Sequence, residues 1–256
     1  MRKRWLGGIA TPVLVSMIVP LVVSIWPSFK EQAASFAEIL QSPIYQALLG
    51  QLGMGDITTW SGFFYMEVGV TLEWVILFVA MFIPARLITS EVDKNTLDLT
   101  LSYPIPRWRY LLEKFGAYLA YSILYPLLIY ALAVAGTNYL GETMDFGVLG
   151  YVMVGTYLQL FALGAISLLC GSVFLESSRT LSASGALILG QYVMTRLPDL
   201  GALNFLKDLS LFNYLSTGTI TGLGSLPMNE LSIVVGVGLI ALAGAFYVFH
   251  KRELAY

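Results

Sequence analysis

Long apolar runs constrain this chain more than any other feature. Residues 68–88, VGVTLEWVILFVAMFIPARLI, and residues 231–249, LSIVVGVGLIALAGAFYVF, are two of them. A helix needs about 20 mostly apolar residues to cross the hydrocarbon core of a bilayer. Six runs meet or approach that length: Trp5–Trp26, Phe63–Ile88, Leu111–Ala135, Val148–Leu175, Leu181–Leu197 and Leu231–Phe249. The fifth is the shortest and ends in TRLPD, with Arg196 at its boundary. Charged residues make up only 12% of the chain, against roughly 25% in an ordinary soluble domain. The expected fold class is an all-α integral membrane protein with six transmembrane helices, forming a single transmembrane domain over residues 1–256.

The apolar run from Leu6 to Ile25 exceeds the roughly 7–15 residues of a secretory signal core. The nearest small-residue cleavage pattern, QAAS at 32–35, is poor, so the first helix is expected to be retained. Basic residues orient the bundle, because they collect on the cytoplasmic side. With the N-terminus inside, Arg2, Lys3, Arg4, Arg86, Lys94, Arg107, Arg109, Lys114, Arg179, Lys251 and Arg252 face the cytoplasm. Only Lys30, Arg196 and Lys207 face outward, so the 14 basic residues divide 11 to 3. This arrangement, N-in and C-in, requires an even number of helices and agrees with six.

Two outer segments are too long for simple turns. In residues 28–60, Phe36, Ile39, Leu40 and Ile44 recur at helical spacing, as in a short helix on the membrane surface. In residues 198–229, Leu203, Leu206, Leu209, Leu211 and Phe212 are too apolar for a free loop. A re-entrant or packed segment is expected there.

Enzyme chemistry finds little support. The single histidine, His250, cannot supply an HExxH metal site, and no serine sits in a GxSxG elbow. No GxxxxGK[ST] motif is present to cradle ATP phosphates. Cys170, the one cysteine, lies inside an apolar run and reads as a small buried hydrophobe. A net charge of -2 gives no footprint for nucleic acid. Glu67 and Glu73 fall within the second run. Taking Arg86 as the inner edge, Glu73 lies about 20 Å deep at 1.5 Å per residue. A carboxylate there must face protein or a water-filled cavity, or be protonated. It either lines a substrate path, with Gln159 and Gln191 as further polar candidates, or makes an interhelix hydrogen bond. Glu67 reads as an interfacial acid, about 240° around the helix from Glu73.

The loop over residues 89–110 is unusually furnished. Ser90 with Asp93 fits a helix-start pattern, and Val92, Thr96, Leu99 and Tyr103 follow one helical stripe. Pro104 disfavours helix before it, and Pro106 suits the first position of the next helix. Trp108, Tyr110, Arg107 and Arg109 suit a headgroup layer. The residues alone leave two readings open: a helix lying along the inner membrane face with an elbow into the third span, or an interfacial linker.

The run SEVDKNTLDLTLSYPIPRWRYLLEKF, residues 90–115, resembles the first cytoplasmic loop of ABC-2-type permeases. That loop reads as a glutamate, a short polar turn, Thr-Leu, a leucine run, proline, an arginine and a lysine entering the next helix. Glu91, Thr96, Leu97, Leu101, Pro104, Arg107 and Lys114 occupy those places. LKDLSLFNYL at 206–215 and the terminal FHKREL resemble the family's last outer loop and tail. The resemblance runs from the second helix to the end, with Asn95 standing where the family often has glycine. It implies the membrane subunit of an ATP-driven transporter, an exporter in the cytoplasmic membrane of a prokaryote. A separate ABC ATPase subunit would carry ATP and Mg, leaving this chain without a cofactor, and a second permease chain, identical or paralogous, would complete the assembly in membrane lipid. The loop over residues 89–110 would be an interfacial coupling helix between helices 2 and 3, with Glu91, Thr96, Leu97, Leu101, Pro104 and Arg107 meeting the ATPase. The competing readings are a proton-coupled secondary transporter using Glu73, and a membrane enzyme or assembly factor without a transport cycle.

Overall fold

The computed structural model describes residues 10–35, 57–94, 96, 106–196 and 205–251. Among them there are helices and no strands. A helical run over residues 10–16 leads into α1 (Ile18–Ser35). Then follow α2 (Trp60–Val92), α3 (Arg107–Ser122), α4 (Leu124–Leu140), α5 (Phe146–Phe174) and α6 (Ser177–Arg196). Three short helices, α7 (Phe205–Asp208), α8 (Leu211–Tyr214) and α9 (Thr217–Leu223), precede α10 (Met228–Lys251).

Five stretches among the described residues are long and apolar enough to cross a membrane: Ala10–Gln32, Trp60–Val92, Arg107–Leu140, Phe146–Phe174 and Met228–Lys251. They correspond to five of the six expected spans. The protein is therefore an all-helical, multi-pass membrane protein. The remaining expected span forms α6, whose 20 residues suffice in length. Ser177, Ser178, Arg179, Thr180, Ser182, Ser184, Gln191 and Thr195 dilute its apolar character. The surface helix expected over Phe36, Ile39, Leu40 and Ile44 lies outside the described residues.

Two spans carry the same local break. Proline has no N–H, and its ring crowds the carbonyl four residues earlier. Pro20 crowds Ser16, and the helix gives way to a single turn residue at Met17. Pro126 crowds Ser122, and the break falls at Ile123 between α3 and α4. In each case the serine hydroxyl turns back and donates to the carbonyl three residues earlier. Ser16 reaches Val13 at 2.8 Å and Ser122 reaches Leu119 at 3.0 Å. Ser-x-x-x-Pro thus accompanies a one-residue break in each of two helices without leaving the hydroxyl unpaired.

The helices divide into two compact units. The first takes in residues up to Val75, Leu124–Thr156 and Leu215–Pro227. Within it α1 packs on α4, and Gly136 makes the approach possible, because any Cβ there would collide with the Val23 side chain. Trp26 and Trp60, each 2% exposed, meet edge-on with ring centroids 5.5 Å apart. A buried indole needs a partner for its N–H. Trp60 donates to Thr137 Oγ1 at 2.9 Å, and Trp26 donates to Glu142 Oε1 at 2.9 Å. Lys30 also reaches Glu142, at 2.7 Å. Helix α9 begins at Ser216, whose hydroxyl accepts from the Thr219 N–H at 3.1 Å, and ends at Gly224 in the left-handed region.

The hydrogen bonds from Lys30 and Trp26 hold the Glu142 carboxyl below the usual carboxylate range. A depressed folded-state pKa adds stability above the unfolded value, about 4.3 for glutamate, and that stability is lost as pH falls through the folded value. The expected result is an acid-side drop in thermal stability of the purified protein that Glu142→Gln lacks. At neutral pH the variant should already melt at the lower temperature. A parallel acid drop in wild type and variant would show that another group controls it.

The second unit takes in Ile76–Ile123, Tyr157–Tyr214 and the residues from Met228 onward. In it Tyr118 of α3 lies over Gly164 of α5 and donates to the Leu160 carbonyl at 2.8 Å. Phe161 of α5 fits against Gly238 of α10. Ser177, at the start of α6, donates to Thr89 Oγ1 of α2 at 2.9 Å, and the Thr89 hydroxyl in turn donates to the Ala85 carbonyl at 2.9 Å.

Candidate functional site

The loop between α2 and α3 is held shut at its base. Helix α2 continues through Val92, and the Asp93 N–H bonds the Thr89 carbonyl at 2.9 Å. Ser90 therefore sits in the last turn of a long helix and does not cap a new one. Nothing between Ile88 and Val92 interrupts the i to i−4 ladder, so the helix outruns its apolar segment. The chain then turns: the Thr96 N–H and hydroxyl both bond the Glu91 carbonyl, at 2.9 and 3.2 Å. Pro106, extended at φ -65° and ψ 139°, caps α3 from outside, and its carbonyl accepts from the Arg109 and Tyr110 N–H groups. The helix starts one residue later than expected, at Arg107.

On α3, Arg107, Tyr110 and Lys114 recur at i, i+3 and i+7 and share a face. That face meets two partners. The Tyr110 hydroxyl donates to Glu91 Oε2 at 2.7 Å, and Lys114 Nζ donates to Glu91 Oε1. The ammonium also lies 5.4 Å from the centre of the Tyr110 ring. Tyr110 is 6% exposed, and the Lys114 and Glu91 side chains are 34% and 20% exposed, so this ion pair is only partly sheltered from solvent. The second partner is α10. Tyr110 stacks on Phe249, centroids 5.9 Å apart and rings inclined by 19°. Arg107 Nη1 reaches the His250 carbonyl at 3.5 Å, near the C-terminal end of α10, where a cation is favourable. Both ends of the loop are thereby tied to each other and to the last helix.

Of the expected coupling residues, Glu91, Thr96 and Arg107 are placed in this base. Leu97, Leu101 and Pro104 lie outside the described residues. Sequence reasoning missed the pairing of Tyr110 with both Glu91 and Phe249. The i, i+3, i+7 spacing of Arg107, Tyr110 and Lys114 was the available signal.

The three candidates for a substrate path fall into two groups. Gln159 and Gln191 converge on α8. The Gln159 amide, 3% exposed, donates to the Leu211 carbonyl at 3.1 Å and to Phe212 at 3.5 Å. The Gln191 side-chain oxygen accepts from the Leu211 N–H at 3.1 Å. Thr195 and Ser210 exchange a hydroxyl bond at 2.7 Å, and Ser210 accepts from the Phe212 N–H. These side chains satisfy backbone groups at the start of the short, buried helix α8 that have no partner within so short a helix. Glu73 lies on α2 in the other unit, half-buried, as is Glu67, whose carbonyl accepts from Thr71. His250 is exposed, and Cys170 is buried. No group of His, Cys, Asp and Glu among the described residues is arranged to hold a metal.

The chain is 24% identical over 204 residues to a Bacillus subtilis (strain 168) protein named uncharacterized membrane protein YdbK, covering 74% of this chain and 82% of that one. The family model for ABC-2 family transporter proteins matches residues 1–254, nearly the whole length, including the start of α3 and the end of α10 that pack together. This chain belongs to the ABC-2 transporter family, whose members are membrane components of ABC transporters and work with an ATPase subunit.

Proposed function

We propose that this protein is the permease of an ATP-driven exporter in the cytoplasmic membrane of a prokaryote. A separate ATPase carries ATP and Mg, and a second permease chain completes the assembly. The observation that carries the reading is the fastened base of the α2–α3 loop, with Glu91, Tyr110 and Lys114 joined across it. A loop with tied ends transmits a push at its tip to the helices that hold it, here α2, α3 and α10. A freely hinged linker would absorb the same push. Leu97, Leu101 and Pro104 lie in sequence between those tied ends and meet the ATPase in this reading. Six spans with both termini cytoplasmic are part of this reading, supported by five apolar helices, a 20-residue α6 and the 11-to-3 distribution of basic residues. Glu73 is kept as a candidate lining carboxylate of the substrate path, since a half-buried acid in a spanning helix faces either protein or a water-filled cavity. Gln159 and Gln191 contribute through their hold on α8.

The test pairs the protein with its cognate ATPase. Co-purification is expected, and Leu97→Asp should reduce transport about tenfold or more while ATP hydrolysis continues. An aspartate in an apolar contact forfeits its burial and leaves an unpaired charge, worth roughly 1.4 kcal/mol or more. Transport without any ATPase would overturn the proposal. If that flux followed a pH gradient and Glu73→Gln abolished it, the proton-coupled mechanism would replace it.

A further inference from the structure

Two helices connect the loop base to α8. Helix α6 meets α2 at its start, where Ser177 donates to Thr89 Oγ1 at 2.9 Å, one turn before the end of α2. Gln191 lies 14 residues further on, about 21 Å along the axis at 1.5 Å per residue. There it accepts from the Leu211 N–H, and Thr195 shares a hydroxyl bond with Ser210 at 2.7 Å. Helix α10 meets α3 at its end, through Phe249 on Tyr110 and the His250 carbonyl on Arg107, and it also packs on α8. Gly238 of α10 lies against Phe161 of α5, two residues after Gln159, whose amide donates to the Leu211 carbonyl. Helix α8 cannot hold itself, because four residues are too few for a stable helix alone. The surrounding side chains impose its place. Ser210, Leu211 and Phe212 are buried, and the Phe212 ring stands edge-on to Tyr192 of α6 at 5.6 Å.

We infer that α8 is a stopper released by motion of the loop base. The inference rests on the transport reading above. The base and α8 lie at opposite ends of α6, so α8 closes the side of the membrane away from the ATPase. A shear that slides α6 along α10 separates two holds that were set in one register. The bonds from Gln191 and Thr195 travel with α6, and the packing contact travels with α10. A four-residue helix cannot stretch to keep both. Gln159 and Gln191 are positioning residues in this device. They fix how firmly the stopper sits and act on transport only through α8.

The experiment uses the full chain with its cognate ATPase in proteoliposomes, in a Cys170→Ala parent that lacks the one native thiol. Ser210→Cys, a near-isosteric change at a buried position, reports release through labelling by a membrane-impermeant maleimide on the side opposite the ATPase. Labelling should be slow without nucleotide and faster during ATP turnover. Gln191→Leu should by itself raise the nucleotide-free rate about fivefold, the effect of one lost hydrogen bond. Phe249→Leu and Ser177→Ala each sever one connection to the base and should each blunt the rise under ATP. Thr195→Cys with Ser210→Cys sets two thiols in place of the 2.7 Å hydroxyl contact. Copper phenanthroline should oxidise them to a disulfide and stop ATP-dependent transport, and dithiothreitol should restore it. The thiol-free parent should respond to neither reagent. Transport that continues in the oxidised double variant overturns the proposal, as does a nucleotide-free rate that Gln191→Leu leaves unchanged. So does a rise under ATP that survives in both Phe249→Leu and Ser177→Ala. If the parent shows no ATP-dependent transport, the transport reading itself fails, and the Gln191→Leu labelling still decides whether α8 is held as stated.

Discussion

Gly164→Val is expected to abolish the stable fold, while Gly190→Ala, elsewhere in the same unit, is expected to leave it intact or slightly strengthen it. A Cβ on Gly164 would lie 2.5 Å from Tyr118 Cε1 and 2.7 Å from its hydroxyl oxygen. Tyr118 has no room to yield. It is 2% exposed, flanked by Phe115, and anchored by its bond to the Leu160 carbonyl. Overpacking of this kind costs about 1–3 kcal/mol. Displacing the ring also strands a buried hydroxyl, at about 1–3 kcal/mol more. Total stabilities of folded domains are only about 5–15 kcal/mol, so the combined loss is severe. At Gly190, within α6, a Cβ meets nothing within 4 Å. Alanine there gains helix propensity of up to about 1 kcal/mol. Thermal unfolding of the two purified variants in one detergent checks the contrast. Equal melting temperatures would show that α3 and α5 tolerate separation at this point. Tyr118→Phe divides the effect, since it removes the hydroxyl bond and leaves the packing.

That contrast marks what could be read from the residues. The spans were legible because length and apolarity alone define them: α2, α5 and α10 lie within a few residues of their expected bounds. Boundaries slipped where polar residues continue a helix. The first span runs on past Trp26 to Ser35, and α2 runs on through Ser90 to Val92. The breaks were less legible, since Pro20 and Pro126 sit in apolar runs that look unbroken. Only the shared Ser-x-x-x-Pro spacing distinguishes them. The site was legible in part. Glu91, Arg107 and Lys114 stood out through a family pattern, yet their partners are non-local: Glu91 pairs 19 and 23 residues ahead, and Arg107 pairs 143 residues ahead. Gln159 and Gln191 looked like possible lining of a path because buried amides need partners. Nothing local reveals that the partner is the backbone at Leu211, 52 and 20 residues away.

Breaking the pair between Glu91 and Lys114 is expected to cost most of the transport activity, and reversing it should return part of that activity. Glu91→Ala removes the acceptor of two donors at once, the Tyr110 hydroxyl and the Lys114 ammonium. Lys114→Ala removes the ammonium and leaves the Tyr110 hydroxyl on the carboxylate. Truncating one partner of this part-exposed charge pair costs about 1 kcal/mol, since water reaches the remaining charge. Part of that loss falls on the folded state and part on the stiffness of the loop base, so each single variant should show a several-fold fall in ATP-dependent transport. The double reversal Glu91→Lys, Lys114→Glu restores an ion pair between α2 and α3. Tyr110 can adapt, since a phenol accepts as well as donates, and its stack on Phe249 does not depend on the hydroxyl. A double-mutant cycle separates the coupling of the pair from the effects of either residue alone. A positive coupling energy in both thermal stability and transport is expected. If the singles lose transport and the reversal recovers stability alone, the carboxylate of Glu91 acts on the motor directly and the tie at the loop base is incidental. If reversal recovers both, the loop works by being fastened, and the charge at residue 91 matters only through its partner.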